Sequence, residues 1–129
     1  MDVLVPIDGS DCSTRALEFA FEFARRFDAK LDVVHFSDAE TEATDEICDR
    51  AAAATPEDVG CTVRMITDSE LDFRPAERVG DLIVELVETG EYDHVIMGHH
   101  GSGAIERAIL GSAAEKVVRA EKVPATIVP

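Results

Sequence analysis

Four small residues carry the chemistry that this chain advertises. Gly98, Gly101, Gly111 and Ser112 stand in the pattern G-x2-G-x9-G-S. The pattern follows an apolar run, Val95-Ile96-Met97, and precedes a helical spacing of Ala113, Ala114, Val117 and Val118. A strand therefore feeds a glycine loop, and the loop feeds the start of a helix. The first amides of a helix have no acceptor inside it. They form the positive end of its macrodipole and suit an anion. Glycine lets backbone approach that anion closely and reach positive φ, and Ser112 adds a hydroxyl donor. The chemistry implied is phosphate binding, most simply of a nucleotide. The competing reading is a plain turn, with Gly111-Ser112 capping a helix. With glycine at about 7% of residues, the full spacing should arise by chance in well under about 1% of chains this long. Its place between a strand and a helix favours the functional reading.

Other reactive residues are scattered. His99 and His100 could move a proton or bind a metal. Adjacent side chains point apart on an extended chain, so shared ligation is not expected and no metal site is assigned. Cys12, Cys48 and Cys61 are odd in number and lack C-x-x-C spacing, which argues against a disulfide framework or a zinc site. Cys12 falls in the first turn of a predicted helix; buried, reduced thiols are the expectation. The acidic run from Asp38 to Asp49 reads as a solvated helix face, because calcium loops need stricter spacing and a turn glycine.

The elements that position the glycines follow from periodicity. Residues 2–7 read as a strand buried on both faces. Ser10 or Asp11 caps a helix from Asp11 to Phe27, whose inner face is predicted to carry Ala16, Ala20, Phe23, Ala24 and Phe27, widened by Leu17 and Phe19. Residues 31–36 form a second strand. A short helix spans 42–54, closed by Thr55-Pro56. Residues 61–67 make a third strand, set at an edge by Arg64. Pro75 suits the first turn of a helix over 76–89, with Val79, Leu82, Ile83, Leu86 and Val87 on one stripe. Residues 94–97 and 125–128 complete the strands. The order βαβαβαβαβ implies an α/β, Rossmann-like, doubly wound parallel sheet with right-handed crossovers. Such sheets bind ligands at strand carboxyl ends where the strand order reverses. Asp8 and Gly98 end strands one and four, and line one crevice if those strands are neighbours.

The 129 residues suit one domain, residues 1–129, with one core. No apolar run approaches the roughly 20 residues that span a bilayer, and the N-terminus lacks the basic region of a signal peptide. A cytoplasmic protein with no membrane contact is expected. A formal charge of −15 disfavours nucleic acid as a partner. It is read as adaptation to high salt, where dense carboxylates keep a protein soluble and repulsion is screened, with an ordinary solvated surface as the alternative. Three lysines against nine arginines accompany it.

These residues resemble the universal stress protein family, in its ATP-binding branch, over nearly the whole length. The resemblance rests on Val5-Pro6-Ile7-Asp8-Gly9-Ser10, Val34-His35-Phe36, Met97-Gly98-His99-His100-Gly101, Gly111-Ser112 with Glu115-Lys116-Val117, and Val123-Pro124-Ala125. It implies a five-stranded sheet of order 3-2-1-4-5 and a homodimer paired through the last strands. It implies that Pro6, Ile7 and Asp8 lie beside the adenosine, with the Asp8 carboxylate on a ribose hydroxyl or base edge. Phe36 would offer backbone groups to adenine, and Met97 would pack near the nucleoside. Amides of Gly98, Gly101, Gly111, Ser112 and Ala113 would hold the phosphates, with Mg²⁺ or Mn²⁺ accompanying ATP. Ser102 and Ala114 replace a basic residue and a hydroxyl residue of many members, which shifts the expected preference towards AMP or ADP; Arg107 could restore charge.

No general base aims at water and no Walker lysine is present, so binding with at most slow turnover is expected of a regulatory or stress-response protein. The alternatives are a slow ATP hydrolase or nucleotide-dependent transferase, a phosphoacceptor receiver domain, and a dimerisation module that binds nothing. Asp8 matches the receiver's acidic position poorly.

Overall fold

The computed structural model describes residues 1–73, 75–101 and 110–129, and leaves aside the side chain of Ala76. Among the described residues five strands alternate with four helices: β1 (Asp2–Ile7), α1 (Asp11–Phe27), β2 (Lys30–Ser37), α2 (Glu42–Ala54), β3 (Cys61–Thr67), α3 (Pro75–Thr89), β4 (His94–Gly98), α4 (Ser112–Ala120) and β5 (Ala125–Val128). A short 3-10 turn, Ser69–Asp72, precedes α3. The strands pair in the order β3-β2-β1-β4-β5, every pair parallel. Fold class and order are as expected, and β3 with its Arg64 lies at an edge.

The sheet separates two apolar layers. Val3, Val5, Val33 and Ile96 face α1 and Ala51 of α2. Leu4, Val34, Val95 and Met97 face α3 and α4, which contribute Leu82, Ile83, Val87, Ala114 and Val117. Alternating residues of one strand thus serve opposite layers, as a period of two requires. Both faces of the central strands are apolar because both are covered.

The inner face of α1 is Cys12, Ser13, Ala16, Leu17, Ala20, Phe21 and Ala24, a stripe rotated from the expected one. Phe21 is buried, whereas Phe19 and Phe27 are 44% and 58% exposed. Phe19, Phe23 and Phe27 stack along the rim of the helix, with centroids 6.5 and 4.5 Å apart, and Phe23 lies against His94. Spacings of three and four residues fit both stripes. The sheet selects the one that passes through Phe21.

At the amino end of the sheet, Asp32 accepts from Arg64 at 3.0 Å and from the Tyr92 hydroxyl. Burial pushes its carboxyl pKa up, but Arg64 and Tyr92 more than offset this and hold it below 3.8. Burial and the hydrogen bond to Asp32 raise the Tyr92 pKa, which Arg64 offsets only in part. This network ties β2, β3 and the entry to β4 together, away from the carboxyl ends where the glycines lie.

Candidate functional site

The crevice begins where two central strands part. The β1–β2 ladder runs through six pairs, Asp2↔Lys30 to Ile7↔His35, whereas β1 and β4 pair at Val3↔His94 and Leu4↔Val95. Beyond Leu4 the carboxyl halves of β1 and β4 frame a cavity of about 610 Å³, within the roughly 300–1,000 Å³ typical of ligand sites. Pro6, Ile7, Asp8, Phe36, Met97, Gly98, Gly101, Gly111, Ser112 and Ala113 all line it. The fold thus brings all ten expected residues to one wall or another of a single cavity.

At one end lies Asp8. Its Oδ1 accepts from the Ser10 amide at 2.9 Å, and its own amide donates to Ser13 Oγ at 3.3 Å. Gly9 makes the intervening turn with φ +80°, a conformation that suits glycine. Buried His35 donates from Nδ1 to the Ile7 carbonyl at 2.8 Å and locks the ends of β1 and β2 together. His35 stands in a motif of the resemblance without a site role of its own, and Ser13 in none. Both line the cavity, and the signal for them is long-range pairing, which no local spacing encodes.

At the other end lies the start of α4. Gly111 is its N-cap and makes no side-chain cap. Glu115 is the first residue of the helix to donate backward, to the Gly111 carbonyl at 2.9 Å. The amides of Ala113 and Ala114 therefore have no acceptor within the helix. The Gly111 amide differs from expectation: it donates to the His99 carbonyl at 2.5 Å, which closes the loop on itself. A Cβ on Gly111 would stand 2.8 Å from the His99 oxygen and 2.9 Å from His100 Cα; one on Gly101 would stand 2.5 Å from Asp8 Oδ2. Neither glycine has positive φ. At Gly111 close approach of backbone, rather than dihedral freedom, is what demands glycine; at Gly101 the close neighbour is the tip of the Asp8 side chain. Part of that demand is internal packing, independent of any ligand.

Among the described lining residues there is no lysine or arginine. Ser102 and Arg107, two positions weighed for charge, lie outside the described residues. An anion here would be met by amides, the α4 macrodipole and the histidines.

His99 and His100 do not point apart. Their ring centroids are 4.1 Å apart at 61°, because the chain bends at these residues once it leaves β4. His99 Nδ1 lies 3.4 Å from the Sγ of buried Cys12, which also donates to the Val128 carbonyl at 3.3 Å. All three cysteines are unbridged.

A doubly wound parallel sheet with a cavity at its switch point defines a class of α/β proteins, the one whose ligands, where they occur, sit at strand carboxyl ends. Within that class, the model of the universal stress protein family matches residues 1–66 and 74–129, and the chain belongs to that family. A universal stress protein of Methanocaldococcus jannaschii is 28% identical over 98% of this chain and 80% of its own length. A universal stress protein crystallised with cAMP is 26% identical, with TM-score 0.66, over 99% of this chain and 95% of that one. The Archaeoglobus fulgidus universal stress protein in complex with dAMP shares the fold at 20% identity, TM-score 0.69, over 100% and 98% of the two chains. No helix among the described residues is long and apolar enough to cross a membrane.

Proposed function

We propose that this universal stress protein binds an adenine nucleotide in the cavity between β1 and β4, in a cytoplasmic regulatory role with little or no turnover. The observation that carries this reading is the start of α4, whose cap residue Gly111 has no side chain to give and which lines the same cavity as Asp8, Phe36 and Met97. The 26%-identical relative bound to cAMP supports the ligand class.

Amides of Gly98, Gly101, Ser112 and Ala113 hold the phosphates, and the Ser112 hydroxyl adds a donor. Pro6, Ile7, Phe36 and Met97 flank the nucleoside, with the Asp8 carboxylate towards ribose or base. Because no cation lines the described wall, AMP and ADP bind more readily than ATP. Mg²⁺ or Mn²⁺ accompanies a triphosphate, held chiefly by the phosphates themselves. Two chains pair through the edge strand β5, and the −15 charge suits a protein working at high salt.

A thermal-shift panel of AMP, ADP, ATP and GTP, in high salt with and without Mg²⁺, tests this. A ligand at 100 times its Kd stabilises by about 2.7 kcal/mol, or roughly 8–12 °C for a chain of this size. Adenine nucleotides shifting the midpoint while GTP does not is the expected outcome. If no nucleotide moves it, the reading fails.

A further inference from the structure

We propose that Cys12, His99 and His100 form a binding site for a zinc-class divalent cation. The site stands whether or not a nucleotide binds beside it. One ligand atom from each of the three side chains lies within 4.8 Å of the others. The residues come from distant parts of the sequence: Cys12 opens α1, and the histidines follow β4. Zn–S and Zn–N bonds of about 2.3 and 2.0–2.1 Å at a tetrahedral angle set sulfur and nitrogen roughly 3.5 Å apart. Cys12 Sγ and His99 Nδ1 lie 3.4 Å apart. One metal fits between them with little movement of either.

Two further contacts prepare the set. His100 Nδ1 lies 3.2 Å from the Gly101 carbonyl. A carbonyl accepts only from N–H, so the ring proton sits on Nδ1 and Nε2 keeps its lone pair; such outer hydrogen bonds orient metal-binding imidazoles. Gly98 makes room for the sulfur, since a Cβ there would stand 2.8 Å from Cys12 Sγ. Sulfur with two imidazoles favours zinc over Mg²⁺ or Ca²⁺, which take oxygen. On binding, the Cys12 S–H bond breaks, its proton passes to solvent, and the sulfur lone pair forms the bond to the metal. Three protein ligands leave the fourth tetrahedral position to water.

The test is titration of the full chain with Co²⁺ and then Zn²⁺, in excess Mg²⁺. One Co²⁺ per chain, with thiolate-to-cobalt charge-transfer absorption that Zn²⁺ abolishes, is expected. Cys12→Ser should remove the absorption, and His100→Ala should weaken binding by at least about ten-fold, a loss that even outer-shell changes reach. Cys48→Ser and Cys61→Ser should change neither. The inference is overturned if the wild-type chain gives no charge-transfer band. It is equally overturned if Mg²⁺ displaces the cobalt, or if the band follows Cys48 or Cys61. His100, being part-exposed, keeps the test decisive should Cys12→Ser fold poorly.

Discussion

Two helices start at the carboxyl ends of neighbouring strands, and they meet the same backbone problem differently. At α1 the chain supplies its own cap: Ser10 Oγ accepts from the Ser13 amide at 3.2 Å, with Asp11 in the first turn adding negative charge. At α4 the cap position is Gly111, which has no side chain to give. The α1 start is sealed by polar residues of its own, whereas the α4 start opens on the cavity. The contrast separates a helix start capped by its own serine from one whose cap position is a bare glycine facing the cavity. It also explains why serine and glycine, both common cap residues, carry different meanings here.

The largest expected effect comes from blocking the open terminus. Gly111→Val places side-chain atoms against the His99 and His100 backbone, and should lower nucleotide affinity by about 100-fold or more, some 2.7 kcal/mol, as read by calorimetry. Wild-type affinity in that variant would refute the role given to α4. Asp8→Ala acts at the opposite end of the cavity and removes a charged acceptor. About a ten-fold loss is expected, near 1.4 kcal/mol, and an unchanged Kd would take Asp8 out of the site. Ser10→Ala breaks the sealed terminus instead. It should cost about 1 kcal/mol of stability by denaturant unfolding and leave nucleotide affinity unaltered; a fall in affinity would show that the two termini are not separate.

The smallest effect lies at the far end of the sheet. Asp32 has its folded-state pKa lowered, so its contribution is present above the unfolded value of 3.8 and is lost as pH falls through the folded one. Asp32→Asn should therefore flatten the decline of melting temperature below about pH 4 without touching ligand binding. An identical acid profile in both proteins would remove the network from that role.

Local punctuation made much of the fold legible. Thr55-Pro56 marked the end of α2, and the bounds Glu42–Ala54 were readable; the structure adds the cap at its start, a reciprocal pair between Thr41 and Thr44. Arg64 marked an edge strand because its charge has no place in a central one. The stripe of α1 was misread because Phe21 and Phe27 both fit a helical period, and only the position of the sheet decides between them. In the cavity, the glycine spacing announced the loop and its helix. It did not announce that His99 would accept from Gly111, that His35 would clamp β1 to β2, or that the bend after Gly98 would turn two histidine rings towards Cys12. Those facts depend on residues brought together by topology.

Behind the open terminus, α3 touches α4 at Gly80, where an added Cβ would stand 3.0 Å from Lys116 Cβ and 3.3 Å from Ala113 Cα. With so little slack at that seam the two helices can come no closer, and any side chain larger than hydrogen at residue 80 would press on Lys116 and on the Ala113 backbone, shifting the start of α4 against the cavity that Ala113 lines.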